Sequence, residues 1–140
     1  FNENLASFIG KKACIDYLNF YYGPHADQLI EYLSDLEDSE RFRQHILRGK
    51  HSLDILYKSF SPVDNSTIKS VEKNKSIRNI VNHLDTITFS NSNYYSIFNN
   101  SLPNNTYFMS YTRYYAEEHE LDSLFNFYEK NFKKFIDHFK

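Results

Sequence analysis

Six histidines (His25, His45, His51, His83, His119 and His138), a single cysteine and 18 acidic residues are the groups in this 140-residue chain that could hold a metal or act as a nucleophile. A zinc-peptidase helix needs two His at i, i+4 with a Glu between them, because that spacing aims both imidazoles at one ion from one face. No two His in the chain have it. His119-Glu120-Leu121-Asp122-Ser123 begins in that way but puts Ser123 where the second His is required, so it reads as the start of a helix. The residues supply neither a Gly-rich phosphate loop nor a GxSxG elbow. Cys14 reads as a small hydrophobe on a helix, cannot form an internal disulfide, and leaves the compartment open.

The elements that must position any such groups read as helices. Leu5, Phe8, Ile9, Ile15 and Leu18 mark one apolar face over residues 4–22, which Gly23-Pro24 ends. A second helix carries Leu29, Ile30, Leu33 and Leu36. Its continuation from Ser39 carries Phe42, Ile46, Leu53, Leu56 and Tyr57. Gly49 either weakens that continuation or marks a close helix contact. After a Ser/Pro/Asp/Asn loop, residues 66–87 form a helix with Ile68, Val71, Ile77, Ile80, Val81 and Leu84 inside. Residues 88–105 are predicted to be an ordered but irregular loop, and 105–117 a short helix. Leu121, Leu124, Phe125, Tyr128, Phe132, Phe135, Ile136 and Phe139 form one stripe of a last helix over 120–139.

The expected fold is therefore all-α: one helical domain over residues 1–140, with five to six helices and one irregular loop. Only 3 Gly and 3 Pro occur, which favours long helices. Aromatic residues make up 18% of the chain, so much of the core must be ring packing. The net charge of −2 argues against a nucleic-acid partner, which calls for a basic stripe. No apolar run approaches the roughly 18 residues of a transmembrane span. The chain opens on Phe1-Asn2-Glu3 rather than Met, so an upstream segment, and any targeting signal with it, is expected before Phe1.

The opening Phe1-Asn2-Glu3-Asn4-Leu5-Ala6 resembles the segment that follows HExxH in a family of bacterial zinc aminopeptidases. Its Asn-Glu-x-x-Ala core is similar to the wider gluzincin peptidases. Phe42, Ile46, Lys50, Leu53, Leu56 and Tyr57 match that family's F-x3-[VI]-x3-R-x2-L-x2-LY pattern, with Lys50 in place of Arg. Tyr17-Leu18 with Gly23-Pro24-His25-Ala26 resembles its next helix boundary. Lys73 with Ile77, and Asn104-Asn105 with Tyr114, resemble later segments. The likeness covers nearly all of the chain.

The resemblance implies a metallopeptidase, of aminopeptidase type, acting on a peptide substrate. It implies Glu3 as the third zinc ligand, with the HExxH helix in the remainder of the chain before Phe1. It implies a tyrosine hydroxyl as donor to the developing oxyanion, by position Tyr114, with Tyr111 and Tyr115 as neighbours able to substitute. Residues 1–140 alone, lacking the His pair and the general base, are then expected to be inactive. Read without the resemblance, Glu3 is a helix-start carboxylate and Asn2 an N-cap, and the chain is a non-catalytic helical binding or scaffold module.

Overall fold

The protein is all-α in its computed structural model, which describes residues 2–140 but not the side chains of Asn2 and residues 113–117. Five α-helices, α1 (Asn2–Tyr22), α2 (Asp27–Ser59), α3 (Ser66–Asn82), α4 (Asn105–Phe127) and α5 (Phe132–Asp137), are joined by turns and by two short 3-10 segments at His83–Thr86 and Ser92–Ser96. The described residues contain no strand. The chain divides into two compact units, one made of Phe1–Leu29 with Thr112–Lys140, the other of Ile30–Tyr111.

In the first unit, Phe8 of α1 packs edge-on against Phe125 of α4, with centroids 5.7 Å apart, and against Phe135 of α5 at 5.5 Å. Phe8, Leu121, Phe125 and Phe135 are buried, with Leu5, Ile9, Leu124, Tyr128, Phe132 and Phe139 packed around them. Two ion pairs, Lys11–Glu118 and Lys12–Asp122, each at 2.8 Å, run along the same seam. Contacts move down α4 as they move up α1, so these two helices are antiparallel.

The last stripe is buried at Leu121, Phe125 and Phe135 and half-buried at Leu124, Tyr128, Phe132 and Phe139, whereas Ile136 is exposed, and it does not form one helix. Residues 105–127 are continuous, and the expected 120–139 helix breaks after Phe127. Glu129 (φ 54°) and Lys130 (φ 59°) take left-handed conformations there. Lys130 N–H donates to Phe125 O at 2.9 Å, closing the helix end. Asn131 Oδ1 then accepts from Lys134 N–H and caps α5. The fold-back places Phe135 5.2 Å from Phe125.

In the second unit, Phe42, Ile46 and Leu53 of α2 and Ile77 and Ile80 of α3 are buried with Leu84, Phe89, Phe98 and Phe108. Gly49 is the point of closest approach: a Cβ there would lie 2.7 Å from Ile80 Cγ2. Residues 83–104 are irregular but fastened. Asp38, fully buried on α2, accepts from Asn91 N–H at 2.7 Å. Arg41 donates to Thr88 O at 2.7 Å, and Tyr95 Oη donates to Ile87 O at 2.8 Å. The expected apolar faces of α2 and α3 are only partly inside. Ile30, Leu33, Ile68 and Val71 are exposed, because at about 3.6 residues per turn they stand on the other side of their helices from the buried Phe42, Ile46 and Leu53 of α2 and Ile77 and Ile80 of α3.

Candidate functional site

Glu3 lies in the first turn of α1, where a carboxylate is favoured by the unpaired N–H groups of the helix start. It is exposed, and among the described residues it makes no ion pair or hydrogen bond. The opposite face of the same helix is held by Phe8 and by the lysine pairs on α4, so the backbone carrying Glu3 is fixed one to two turns away.

The face on which Glu3 stands is unusual in composition. Ala6, Ser7, Gly10 and Ala13 follow it at i+3, i+4, i+7 and i+10, and all are exposed. No atom lies within 4 Å of where a Cβ on Gly10 would be. Further along, Tyr17, Phe20 and Tyr21 continue the exposed face, Phe20 at 89%. A helix face made first of small and then of aromatic side chains lets another backbone approach closely near Glu3 and buries a large area beyond it.

The described residues do not by themselves make a zinc site, since no group of three His, Cys, Asp or Glu side chains is placed to hold a metal. Glu3 contributes one carboxylate. Tyr114 lies on α4, and its side chain and that of Tyr115 fall outside the described residues, as does that of Asn2. Tyr111 belongs to the core of the second unit. Its Oη is 3.2 Å from that of Tyr107, and its ring stands edge-on to Phe42. Burial, and then the hydrogen bond to Tyr111, push the Tyr107 phenol well above its usual range.

Three of the histidines make hydrogen bonds within the fold. His45 is buried and donates through Nε2 to Ile80 O at 2.8 Å; burial lowers its pKa. His83 Nδ1 lies 2.7 Å from Asn79 O, and His138 Nδ1 lies 3.0 Å from Tyr128 Oη. His119 and Asp122, from the truncated HExxH-like run, border an open groove of about 500 Å³ with Asp16 and Lys12, whose ammonium is already paired with Asp122.

The remaining motif residues explain themselves structurally. Phe42, Ile46 and Leu53 are the buried stripe of α2. Lys50 pairs with Asp54 at 2.5 Å. Tyr57 Oη donates to Asn105 Oδ1 at 2.7 Å, while Asn104 Oδ1 accepts from Tyr107 N–H and caps α4. The Leu-Tyr and Asn-Asn elements thus meet each other, one on α2 and the other at the start of α4. Two residues were missed by pattern reading: Asp38 and His45. Their positions four residues before Phe42 and one before Ile46 put polar groups on or beside the apolar stripe, which was the available signal.

A family profile described as "Putative aminopeptidase" matches residues 1–140. No curated protein and no solved structure matches the chain.

Proposed function

The chain belongs to the family described as "Putative aminopeptidase", and from that membership we propose that it is the helical, C-terminal part of a zinc-dependent peptidase that removes N-terminal residues. In this reading Glu3 is one of three protein ligands, and the two histidines and the general base come from an HExxH helix before Phe1. Zinc bound there would supply a water of lowered pKa. The observation that carries the reading is the α1 face: Glu3 is unpaired and exposed at the head of a stripe of small side chains, as a helix bedding against α1 requires.

The chain's own residues then have separate tasks. α1, clamped through Phe8, Lys11 and Lys12, holds the Glu3 carboxylate at a fixed height on the helix. Rigidity matters because a ligand displaced by about an ångström loses most of its value. Tyr114 is the proposed donor to the oxyanion of the peptide carbonyl.

The test uses the full-length protein. Glu3→Ala should lose both zinc and turnover while its helical circular dichroism stays unchanged. Gly10→Leu, which puts bulk on the proposed bed, should lower turnover without unfolding residues 1–140. Residues 1–140 alone should hydrolyse no aminoacyl substrate. Normal zinc content and rate in Glu3→Ala would reduce Glu3 to a helix-start carboxylate and leave a helical binding module as the better reading.

A further inference from the structure

The exposed side of α3 carries two cations, Lys75 and Arg78. Lys69 and Lys73 are half-buried on the side that carries Ile77 and Ile80, and Glu72 is the one acid of the helix, on a chain whose net charge is −2. Among the described residues none of the four cations is in an ion pair; Lys69 lies over the Phe60 ring at 5.9 Å. Several other lysines and arginines are answered by acids, as in Lys11–Glu118, Lys12–Asp122, Arg41–Glu37 and Lys50–Asp54.

Lys75 and Arg78 border an open groove of about 800 Å³ between α3 and the end of α2. Leu56 and Val71 give it apolar lining, and Val71 is 57% exposed. Ile68, one turn earlier, is 60% exposed and extends the apolar surface. The amides of Asn74, Asn79 and Asn82 in its lining supply donors and acceptors. Glu72 lines it too, so the groove combines apolar surface, two cations against one acid, and amide groups that can pair with a peptide backbone.

We propose that this groove between α3 and the end of α2 docks an acidic peptide segment, its carboxylates meeting Lys75 and Arg78 and an aliphatic side chain meeting Leu56 and Val71. Charge complementarity selects the sign of the partner. The concave shape and apolar lining select a peptide over other anions. A single nucleic-acid strand would seek aromatic platforms, and the residues lining this groove include none. The surface lies in the second unit, so it stands independently of the role given to Glu3.

The test is fluorescence anisotropy of the intact chain with an end-blocked, labelled peptide of alternating Glu and Leu. Binding should weaken as ionic strength rises, since the charges are at the surface. Lys75→Glu with Arg78→Glu should weaken it about tenfold or more. An alternating Glu-Ser peptide should bind more weakly than the Glu-Leu peptide, and an alternating Lys-Leu peptide should not bind. Circular dichroism of the double variant checks that α3 is intact, and the salt titration of the unaltered chain tests the charge dependence without any variant. No binding of the Glu-Leu peptide, or binding indifferent to salt and to charge reversal, would overturn the proposal. Equal or tighter binding of single-stranded DNA or phosphatidylserine vesicles would overturn it in favour of a general anion surface.

Discussion

Gly49 on α2 touches the side chain of Ile80 on α3, so closely that a single added carbon would meet Cγ2 at 2.7 Å, Cδ1 at 3.1 Å and Cγ1 at 3.2 Å. Ile80 is buried and β-branched, so it has few ways to retreat. Gly49→Ala should therefore destabilise the chain, even though alanine is the better helix former by about 1 kcal/mol. Overpacking costs of about 1–3 kcal/mol outweigh that gain. Gly10→Ala is the contrasting case, with open space at the site, and should stabilise by up to about 1 kcal/mol. Urea denaturation of the two variants should show midpoint shifts of opposite sign.

Phe135 is fully buried at the meeting of α1, α4 and α5, in ring contact with Phe8, Phe125 and Phe139. Phe135→Ala should cost about 3–5 kcal/mol. Phe132 is only partly buried and touches Phe125 from the edge of the cluster, so Phe132→Ala should cost distinctly less. Equal losses by thermal denaturation would mean that the turn at 128–131 is not where the stripe folds back.

His45 links pH to the α2–α3 contact. Burial holds its pKa below the ordinary 6.5, the positive charges of Arg48 and His83 add to this, and the bond to Ile80 O opposes it. The folded state thus binds fewer protons than the unfolded state. The stability linked to this group is fully present above about pH 6.5 and is lost as pH falls through the lower folded value. His45→Gln retains a donor towards Ile80 O but does not titrate. Its stability should fall less than that of the unaltered protein between neutral and mildly acid pH, measured as urea midpoints across that window.

Asp38 should control how firmly residues 87–98 are held. Its Oδ2 takes the Asn91 N–H, and its Oδ1, 3.7 Å from Arg41 Nη1, is buried without a hydrogen bond. Asp38→Ala strands the Asn91 amide and should cost about 1–3 kcal/mol. Hydrogen exchange should accelerate at Asn91 and its neighbours while the amides of α1 keep their protection.

The sequence by itself determined the helices and much of what they bury. The 3.6-residue recurrence of Phe8, Phe42, Ile46, Leu53, Leu121 and Phe125 needed no partner to be read, because one helix face must leave water wherever the helix packs. Gly23-Pro24 marked a boundary through backbone chemistry alone, and Gly23 takes the positive φ of 96° that its lack of a Cβ permits. Glu3 was legible only as a motif residue, since one carboxylate on a helix start carries no pattern of its own.

Only the tertiary structure decided which apolar residues find a partner and where a stripe turns back. Ile68 and Val71 are as apolar as Ile77 and Ile80, yet the first pair is exposed and the second buried, because at about 3.6 residues per turn the two pairs stand on opposite faces of α3 and only the second face meets Gly49. The stripe from Leu121 to Phe139 continues through a break at Glu129 and Lys130 that neither residue type announces. Asp38 looked like any surface acid until Asn91, 53 positions away, supplied the N–H that makes its burial tolerable. Periodicity specifies a face, whereas burial, capping and charge pairing depend on what another part of the chain brings to that face.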